Sequence, residues 1–560
     1  MTPGSYPFTE KGPAVPVVPG RPGVLLLNAN PLAEGIANLG AQVIAWSLIR
    51  DGYNLSFGFA DTVDGGLTGL LPLADHQLVA VSVPFEDTYH HVPRMLRRLG
   101  LPVWQHRRAE SDPLVVGGGL ALINPMPLSP FFDAMVIGEG REAIREIARR
   151  VEDGRRRHRP RAEILRSLAQ VPHAYVPSLY DFDYDTNGAV VAACRDAAAP
   201  AEIRPGRPPD MDREPIHSIW TTERACYKYP DYYSIMVAMG CHLKCPFCVV
   251  GNVQGAEGGR ALNSGLDTVV DLAVDRRRRY GTELIKLFFA SSFSSRTAID
   301  PLSLKNLLTV MLEHGFQCRV GSLNIKQADG ELLGLVRRAG QDRVTFAPET
   351  GQSLRQSIGK PYSRDEKLVQ IAGEAGRYGL GLDVYTMLGV PGEEPAHVRE
   401  LAGLIAAARA ALDPRQTMEV SINPAFSKAQ TPYERRATLR PEESRARFAY
   451  LRRHLPAEDG IEWVTVLDDP MAYYQPILSM GGPELAPVLD RLSDRFAPTE
   501  DEWRAAVADE VPGGDRRYFR DREPDEVLPW QHITYNSHRK LELRLEAHRM
   551  RADKVAERAS

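Results

Sequence analysis

Three of the six cysteines fall within one short run, Cys241-His242-Leu243-Lys244-Cys245-Pro246-Phe247-Cys248, while Cys194, Cys226 and Cys318 are scattered. A thiolate is a nucleophile or a metal ligand. The C-x3-C-x2-C spacing has no second C-x2-C pair nearby, as a closed tetrahedral zinc site would require. A four-iron cluster ordinarily takes four cysteines. Three therefore leave one iron open, as an open position marks a catalytic metal site. Such an iron can bind a substrate through amino and carboxylate groups, and Phe247 can pack on the cluster or on that ligand. The competing reading is a structural zinc knuckle closed by a fourth ligand such as His242. Six cysteines are too few for a disulfide framework in a chain this long.

A thiolate trio needs a rigid scaffold, and the flanking pattern supplies one. The cysteines follow an apolar run, 234–239, that reads as a strand. Further strands are expected at 284–289, 318–323, 344–347, 383–388 and 419–422, with helices starting near Leu266, Pro301, Asp329, Ser363 and Glu394. Repeating strand–helix units of about 35 residues imply a partial (β/α)6 barrel with its chemistry in the loops after the strands. Upstream, strands at 24–27, 78–83, 114–116 and 134–137 alternate with helices at 35–51, 92–100 and 142–151. That is the pattern of a parallel sheet with ligands at its carboxyl ends. Glycine clusters 117–119 and 138–140 follow two of these strands.

The fold class is thus α/β: an N-terminal Rossmann-like domain, the partial barrel, and a helix-rich C-terminal domain. The expected divisions are a flexible leader at 1–21, the first domain at 22–190, a linker at 191–230, the barrel at 231–433 and the last domain at 434–560. With 560 residues, about three or four domains are expected, each able to bury a core without disulfides. Lys plus Arg number 68 and Asp plus Glu 72, a net charge of −4, which argues against a protein that coats nucleic acid. The hydrophobic fraction of 43% and charged fraction of 25% exclude wholesale disorder. The Arg runs 155–159 and 276–279 read as solvated helix ends. No apolar run approaches the ~18–20 residues of a membrane span, and residues 1–7 lack the basic head and apolar core of a secretory signal. The expected compartment is the cytoplasm.

C-x3-C-x-aromatic-C after a first barrel strand resembles the radical S-adenosylmethionine superfamily, and the likeness runs to about residue 433. It implies that Cys241, Cys245 and Cys248 hold a 4Fe–4S cluster and that Phe247 lies against S-adenosylmethionine. Ser291 and Ser292 follow the second strand, where the family contacts the methionine amino group, often with a glycine–glutamate motif that serines replace here. Ser322 and Asn324, with Lys326, stand at the position that reaches ribose and carboxylate. Glu349, in Ala347-Pro348-Glu349-Thr350-Gly351, resembles the family's ribose contact, and Val390, in Gly389-Val390-Pro391-Gly392, the loop that packs on adenine.

The N-terminal region resembles the cobalamin-binding domain fused to many such enzymes, which implies Asn30, Ser82, Gly117, Gly118, Gly119, Gly138, Glu139 and Gly140 as cobalamin contacts. It departs in lacking a D-x-H-x-x-G motif, since Asp75-His76 and Asp87-Thr88-Tyr89-His90 have the wrong spacing. Cobalt would then have no lower histidine. The C-terminal segment, with Trp463, Tyr473-Tyr474 and Trp530, resembles the tail of related fusions and implies a cap over the barrel mouth.

The resemblance implies a cobalamin-dependent radical S-adenosylmethionine methyltransferase. S-adenosylmethionine is cleaved reductively at the cluster, and methylcobalamin delivers methyl to an unactivated centre of a secondary-metabolite type of substrate. The partners implied are a small-molecule or peptide substrate and an electron donor such as a flavodoxin or ferredoxin, with no nucleic acid. No side chain is assigned as a catalytic acid, base or nucleophile. Left open are a non-methylating radical reaction (rearrangement, oxidation or ring contraction) and a non-catalytic cobalamin or redox sensor with structural zinc.

Overall fold

The computed structural model describes residues 11–15, 17–63, 72–184, 190–208, 210–225, 230–241, 243, 245–254, 262–289, 303–358, 360, 364–455 and 460–535. The first sheet comprises β1 (Gly23–Asn28), β2 (Asn54–Phe59), β3 (His76–Ser82), β4 (Leu114–Gly118), β5 (Ala134–Val136) and β6 (Ala174–Tyr175). Its order is β2-β1-β3-β4-β5-β6, parallel except for the antiparallel β5–β6 pair. All six residues of β1 and of β2 are buried, as expected of strands covered by helices on both faces. Asn38 starts the helix Leu39–Arg50 by accepting a hydrogen bond from the Ala41 N–H. The chain reverses direction across the sheet between β1 and β3, and a doubly wound sheet binds its ligand at such a switch point.

A hairpin, β7 (Tyr180–Tyr184) with β8 (Val190–Arg195), precedes the barrel. The barrel strands are β9 (Tyr233–Met236), β10 (Ala238–Met239), β12 (Leu284–Phe288), β13 (Gln317–Val320), β14 (Arg343–Glu349), β15 (Gly381–Leu388), β16 (Met418–Pro424) and β17 (Ile461–Val464); β11 (Leu262–Asn263) pairs with β10. Apart from β10, which pairs antiparallel with β11, they form two parallel sheets, β13-β12-β9 and β14-β15-β16-β17. The Leu323 N–H donates to the Thr345 carbonyl at 2.8 Å and links the two sheets, while among the described strands β9 and β17 do not pair, so the barrel is open and partial.

The run expected as one strand at 234–239 is broken at Val237, whose N–H turns to the Phe288 carbonyl. The strand expected at 318–323 ends at Val320 because Leu323 pairs with β14 instead. The helix-rich region past 433 also contributes β17, which extends the barrel sheet beyond β16.

The described part of the leader, residues 11–15 and 17–21, is not loose. Trp220 Nε1 donates to the Pro13 carbonyl, Asn54 bonds both backbone groups of Val18, and Arg276 reaches the Lys11 carbonyl. Residues 216–220 of the expected linker are also fixed. His217 bridges antiparallel to Ile235 of β9, and Gln42 of the first domain accepts from Ile219 N and Trp220 N. The C-terminal helices Met471–Met480, Ala486–Leu492 and Glu500–Glu510 send Tyr473, Leu489 and Trp503 into the core of the first sheet. Among the described residues, no helix is long and apolar enough to cross a membrane.

Two buried groups make this frame testable. Asp133 is 1% exposed and accepts from Arg108 and Arg161, each at 2.8 Å. Asp133→Asn leaves two buried guanidinium groups short of a counter-charge, so urea titration should show a loss of about 3–5 kcal/mol. His532 lies among Tyr175, Tyr180 and Phe182, and burial lowers its pKa from 6.5 to about 4. The unfolded chain therefore takes up this proton first, and stability falls as pH drops from about 6.5 towards 4. His532→Phe should flatten the fall in thermal midpoint over that window.

Candidate active site

The cysteine loop hangs between β10 and the short helix Val249–Val253. Cys241 and Cys245 are 8% and 7% exposed, and Cys248 is half-buried. Asn252, itself buried, donates to the carbonyls of Cys245 (3.0 Å) and Cys248 (2.8 Å), closing the loop on the helix. Burial pushes the Cys245 thiol up to about 12, and Cys248, Glu349 and Cys241 push the same way against the pull of Lys360. Burial also raises Cys248, while backbone N–H groups of Gly251 and Val250 oppose it. Sulfurs so placed hold charge only when a cation compensates them.

Among the described residues, no three His, Cys, Asp or Glu side chains form a group that could hold a single metal ion. In an iron–sulfur cluster each thiolate binds a different iron and need not converge on one point. Three cysteine sulfurs are the donor set that a cluster with one open iron takes. His242 lies outside the described residues.

Phe247 packs with Val390, Leu354, Ile358, Ala425 and Tyr433 in a small apolar group separate from the main cores. Glu349 ends β14 and forms an ion pair with Lys360, both side chains being largely buried. The Lys360 ammonium lies 5.9 Å from the centre of the Phe247 ring. Phe247, Glu349 and Val390 therefore gather on the cysteine loop. Glu393 pins the Val390 turn by accepting from Gly389 N at 3.1 Å and pairing with Arg447. Ser322 and Asn324 follow β13, and Asn324 accepts from Lys326 N in a local turn. Ser291 and Ser292 lie outside the described residues.

The carboxyl ends of the first sheet face the barrel across a cavity of about 720 Å³. Asn30, Ser82, Gly117, Gly118, Gly119, Gly138, Glu139 and Gly140 all line it. The opposite wall includes Met236, Met239 and Phe288 from barrel strands and Val253 from the helix after the cysteines. Met239 and Val253 bracket the cysteine loop, so the cavity abuts it.

The glycines serve different ends. Gly119 has φ +132, and a Cβ there would meet the Val83 carbonyl at 2.2 Å; Gly138 similarly abuts Gly206. These two let chain approach chain. At Gly118 a Cβ would meet nothing within 4 Å, so that glycine keeps cavity space open. Among the described residues no histidine lines the cavity. His76 bonds Ser56, and His90 and His91 both face the Phe496 carbonyl.

Sequence reasoning missed Asn252, Arg355, Lys360 and the cavity residues Phe85, Arg141 and Tyr535. None stands in a motif. Tyr535 reaches the cavity because Ile533 bridges to Ile203 and Gln430 holds the Ile533 carbonyl.

Residues 66–177 match the family described as "Radical SAM proteins, N-terminal". An uncharacterized protein of Methanocaldococcus jannaschii is 21% identical over 417 residues, 73% of this chain and 79% of that one. The fold resembles the radical S-adenosylmethionine methyltransferase TsrM from Kitasatospora setae, solved with cobalamin and a 4Fe–4S cluster. The TM-score is 0.51 with 16% identity, over 87% of this chain and 100% of that chain. The cobalamin-dependent S-adenosylmethionine radical enzyme OxsB aligns over 69% of this chain and 52% of its own, with 11% identity and a TM-score of 0.45. At these identities the likeness to TsrM is one of fold. The chain thus matches the N-terminal radical S-adenosylmethionine family model over residues 66–177 and shares its fold with a radical S-adenosylmethionine methyltransferase.

Proposed function

We propose that the protein is a cobalamin-dependent radical S-adenosylmethionine methyltransferase acting on an unactivated centre of a small-molecule or peptide substrate. One observation carries this reading: the cavity lined by Asn30, Ser82 and both glycine clusters is bracketed on its far wall by Met239 and Val253, which flank Cys241, Cys245 and Cys248. A site for a bulky planar cofactor thus borders a site for a cluster.

When bound, the cluster supplies an electron to S-adenosylmethionine and cobalamin carries the methyl group. The chain's own part is to bind, orient and exclude water. Cys241, Cys245 and Cys248 hold the cluster. Glu349 accepts hydrogen bonds from ribose hydroxyls, with Ser322 and Asn324 as further polar contacts. Phe247 and Val390 present an apolar surface beside the sulfurs. Ser291 and Ser292 are assigned to the methionine end.

In the cavity, Gly118 leaves room for a flat ring system. Arg141 Nη2 is a buried donor with no partner among the described residues, suited to a phosphate or amide of the nucleotide tail. A flavodoxin or ferredoxin would serve as the electron donor.

Product mass tests the reaction. Incubation of the reconstituted protein with reductant, S-adenosylmethionine and extracts rich in secondary metabolites should yield a product heavier by one CH2. Deoxyadenosine formation with no such gain would favour rearrangement, oxidation or ring contraction. Zinc with no labile sulfide would favour the sensor reading.

Cys245→Ala should abolish the brown absorbance, labile sulfide and deoxyadenosine formation together; retention of all three would show that the ligands are misassigned. Gly118→Leu should fold normally and retain at least about tenfold less cobalamin after gel filtration. Gly119→Ala should instead lower stability by about 1–3 kcal/mol, because its φ of +132 disfavours any side chain.

A further inference from the structure

The backbone of Glu349 is held where a glutamate does not settle by itself. Its φ is +69, in the left-handed region, at a cost of about 1–3 kcal/mol that only the surroundings can sustain. Two cations supply those surroundings. Arg355, 1% exposed, donates Nε to the Pro348 carbonyl at 2.9 Å and Nη2 to the Thr350 carbonyl at 2.7 Å, one on each side of Glu349. Asp365 balances its charge at 2.6 Å. Lys360 holds the Glu349 carboxylate, their side chains being 9% and 14% exposed. The Lys360 N–H also bonds the Arg355 carbonyl at 3.2 Å, which ties the two cations together.

The reach of Lys360 extends past Glu349. Its ammonium stands 5.9 Å from the centre of the Phe247 ring, between Cys245 and Cys248 in sequence. With its side chain only 9% exposed, this cation is weakly screened.

We propose that Arg355 and Lys360 are positioning residues with separable tasks. Arg355 locks the strained backbone of Glu349, and Lys360 orients the Glu349 carboxylate while setting positive charge against the Phe247 segment of the cysteine loop. The inference rests on the function proposed above. A reduced cluster carries one more negative charge than an oxidised one, so a fixed cation beside it favours reduction. Lys360 therefore raises the midpoint potential as well as aligning the ribose contact. Arg355 acts on alignment, because its guanidinium grips the Pro348 and Thr350 carbonyls, whereas the Lys360 ammonium stands over Phe247 of the cysteine loop.

The test uses the full chain reconstituted anaerobically with iron and sulfide, as wild type and as Lys360→Met, Lys360→Arg and Arg355→Lys. Each is titrated with reductant and followed by electron paramagnetic resonance, then titrated with S-adenosylmethionine while the same signal is watched. Lys360→Met should show a lower midpoint potential and need about tenfold more S-adenosylmethionine for the spectral change, the factor expected for one lost charged hydrogen bond. Lys360→Arg should restore the potential. Arg355→Lys keeps the charge but loses the grip on two carbonyls, so it should weaken the S-adenosylmethionine response and leave the potential unchanged.

Loss of the cluster in Lys360→Met with retention in Lys360→Arg also supports the assignment, whereas loss in both overturns it. An unchanged potential and response in Lys360→Met overturns it, as does an equal shift of potential in Lys360→Met and Arg355→Lys. A wild-type chain that takes up no labile sulfide overturns the proposed function itself. A wild-type cluster beside an unaltered Lys360→Met overturns only this inference.

Discussion

Sulfur taken out of water resists ionisation, and three thiols in one short loop make each further ionisation harder. Cys241 and Cys245 are each less than a tenth exposed, and burial drives Cys245 up to about 12. Buried sulfurs of this kind ionise readily only beside a compensating positive charge. Much of its neighbourhood answers that constraint. Asn252 fixes the carbonyls of Cys245 and Cys248, and Phe247, Val390 and Tyr433 form an apolar group beside them. Lys360 pairs with Glu349 and stands over Phe247 at the loop's edge.

The second constraint is the wedge between two parallel sheets. Each sheet ends its strands in loops, and the carboxyl ends of the first sheet meet barrel strands across a shared cavity. Such a cavity keeps its shape only if the two halves cannot slide. Buried polar ties hold them. Gln42 clasps the backbone of Ile219 and Trp220, and Arg276 reaches the Ile219 carbonyl from the barrel side. On the other flank, Lys428 and Ser479 both bond Glu86. Burial alone would push the Glu86 carboxyl up, but Lys428 and Ser479 bring it below its ordinary value. Asn124 fastens the carbonyls of Ser479 and Gly481. Breaking such a bond strands a buried partner, which costs more than the bond contributes.

The C-terminal segment takes part in this arrangement at two levels. Its helices complete the core of the first sheet through Trp503, Tyr473 and Leu489. Its last described turn, reached through the Ile203–Ile533 bridge, puts Tyr535 into the cavity wall. The segment expected over the barrel mouth thus serves the Rossmann-like half of the molecule.

Short-range chemistry in the chain settled the parts that need only neighbours in sequence. The cysteine spacing named a three-thiolate loop, the period of apolar residues named parallel α/β units, and glycines after strands named places of close approach. Each of these depends on groups a few residues apart, so it survives reading in one dimension. The residues that finish the site lie far apart in sequence or outside any motif. Lys360 is eleven positions from Glu349 and more than a hundred from Phe247, and Tyr535 comes from near the chain's end. The left-handed turn at Glu349, the pinned linker and the fastened leader were likewise invisible, because each is held by partners that other elements deliver. Periodicity and spacing record what a segment prefers. Which buried donor meets which carbonyl is decided by packing, where many weak preferences are overruled by the need to leave no polar group unpaired.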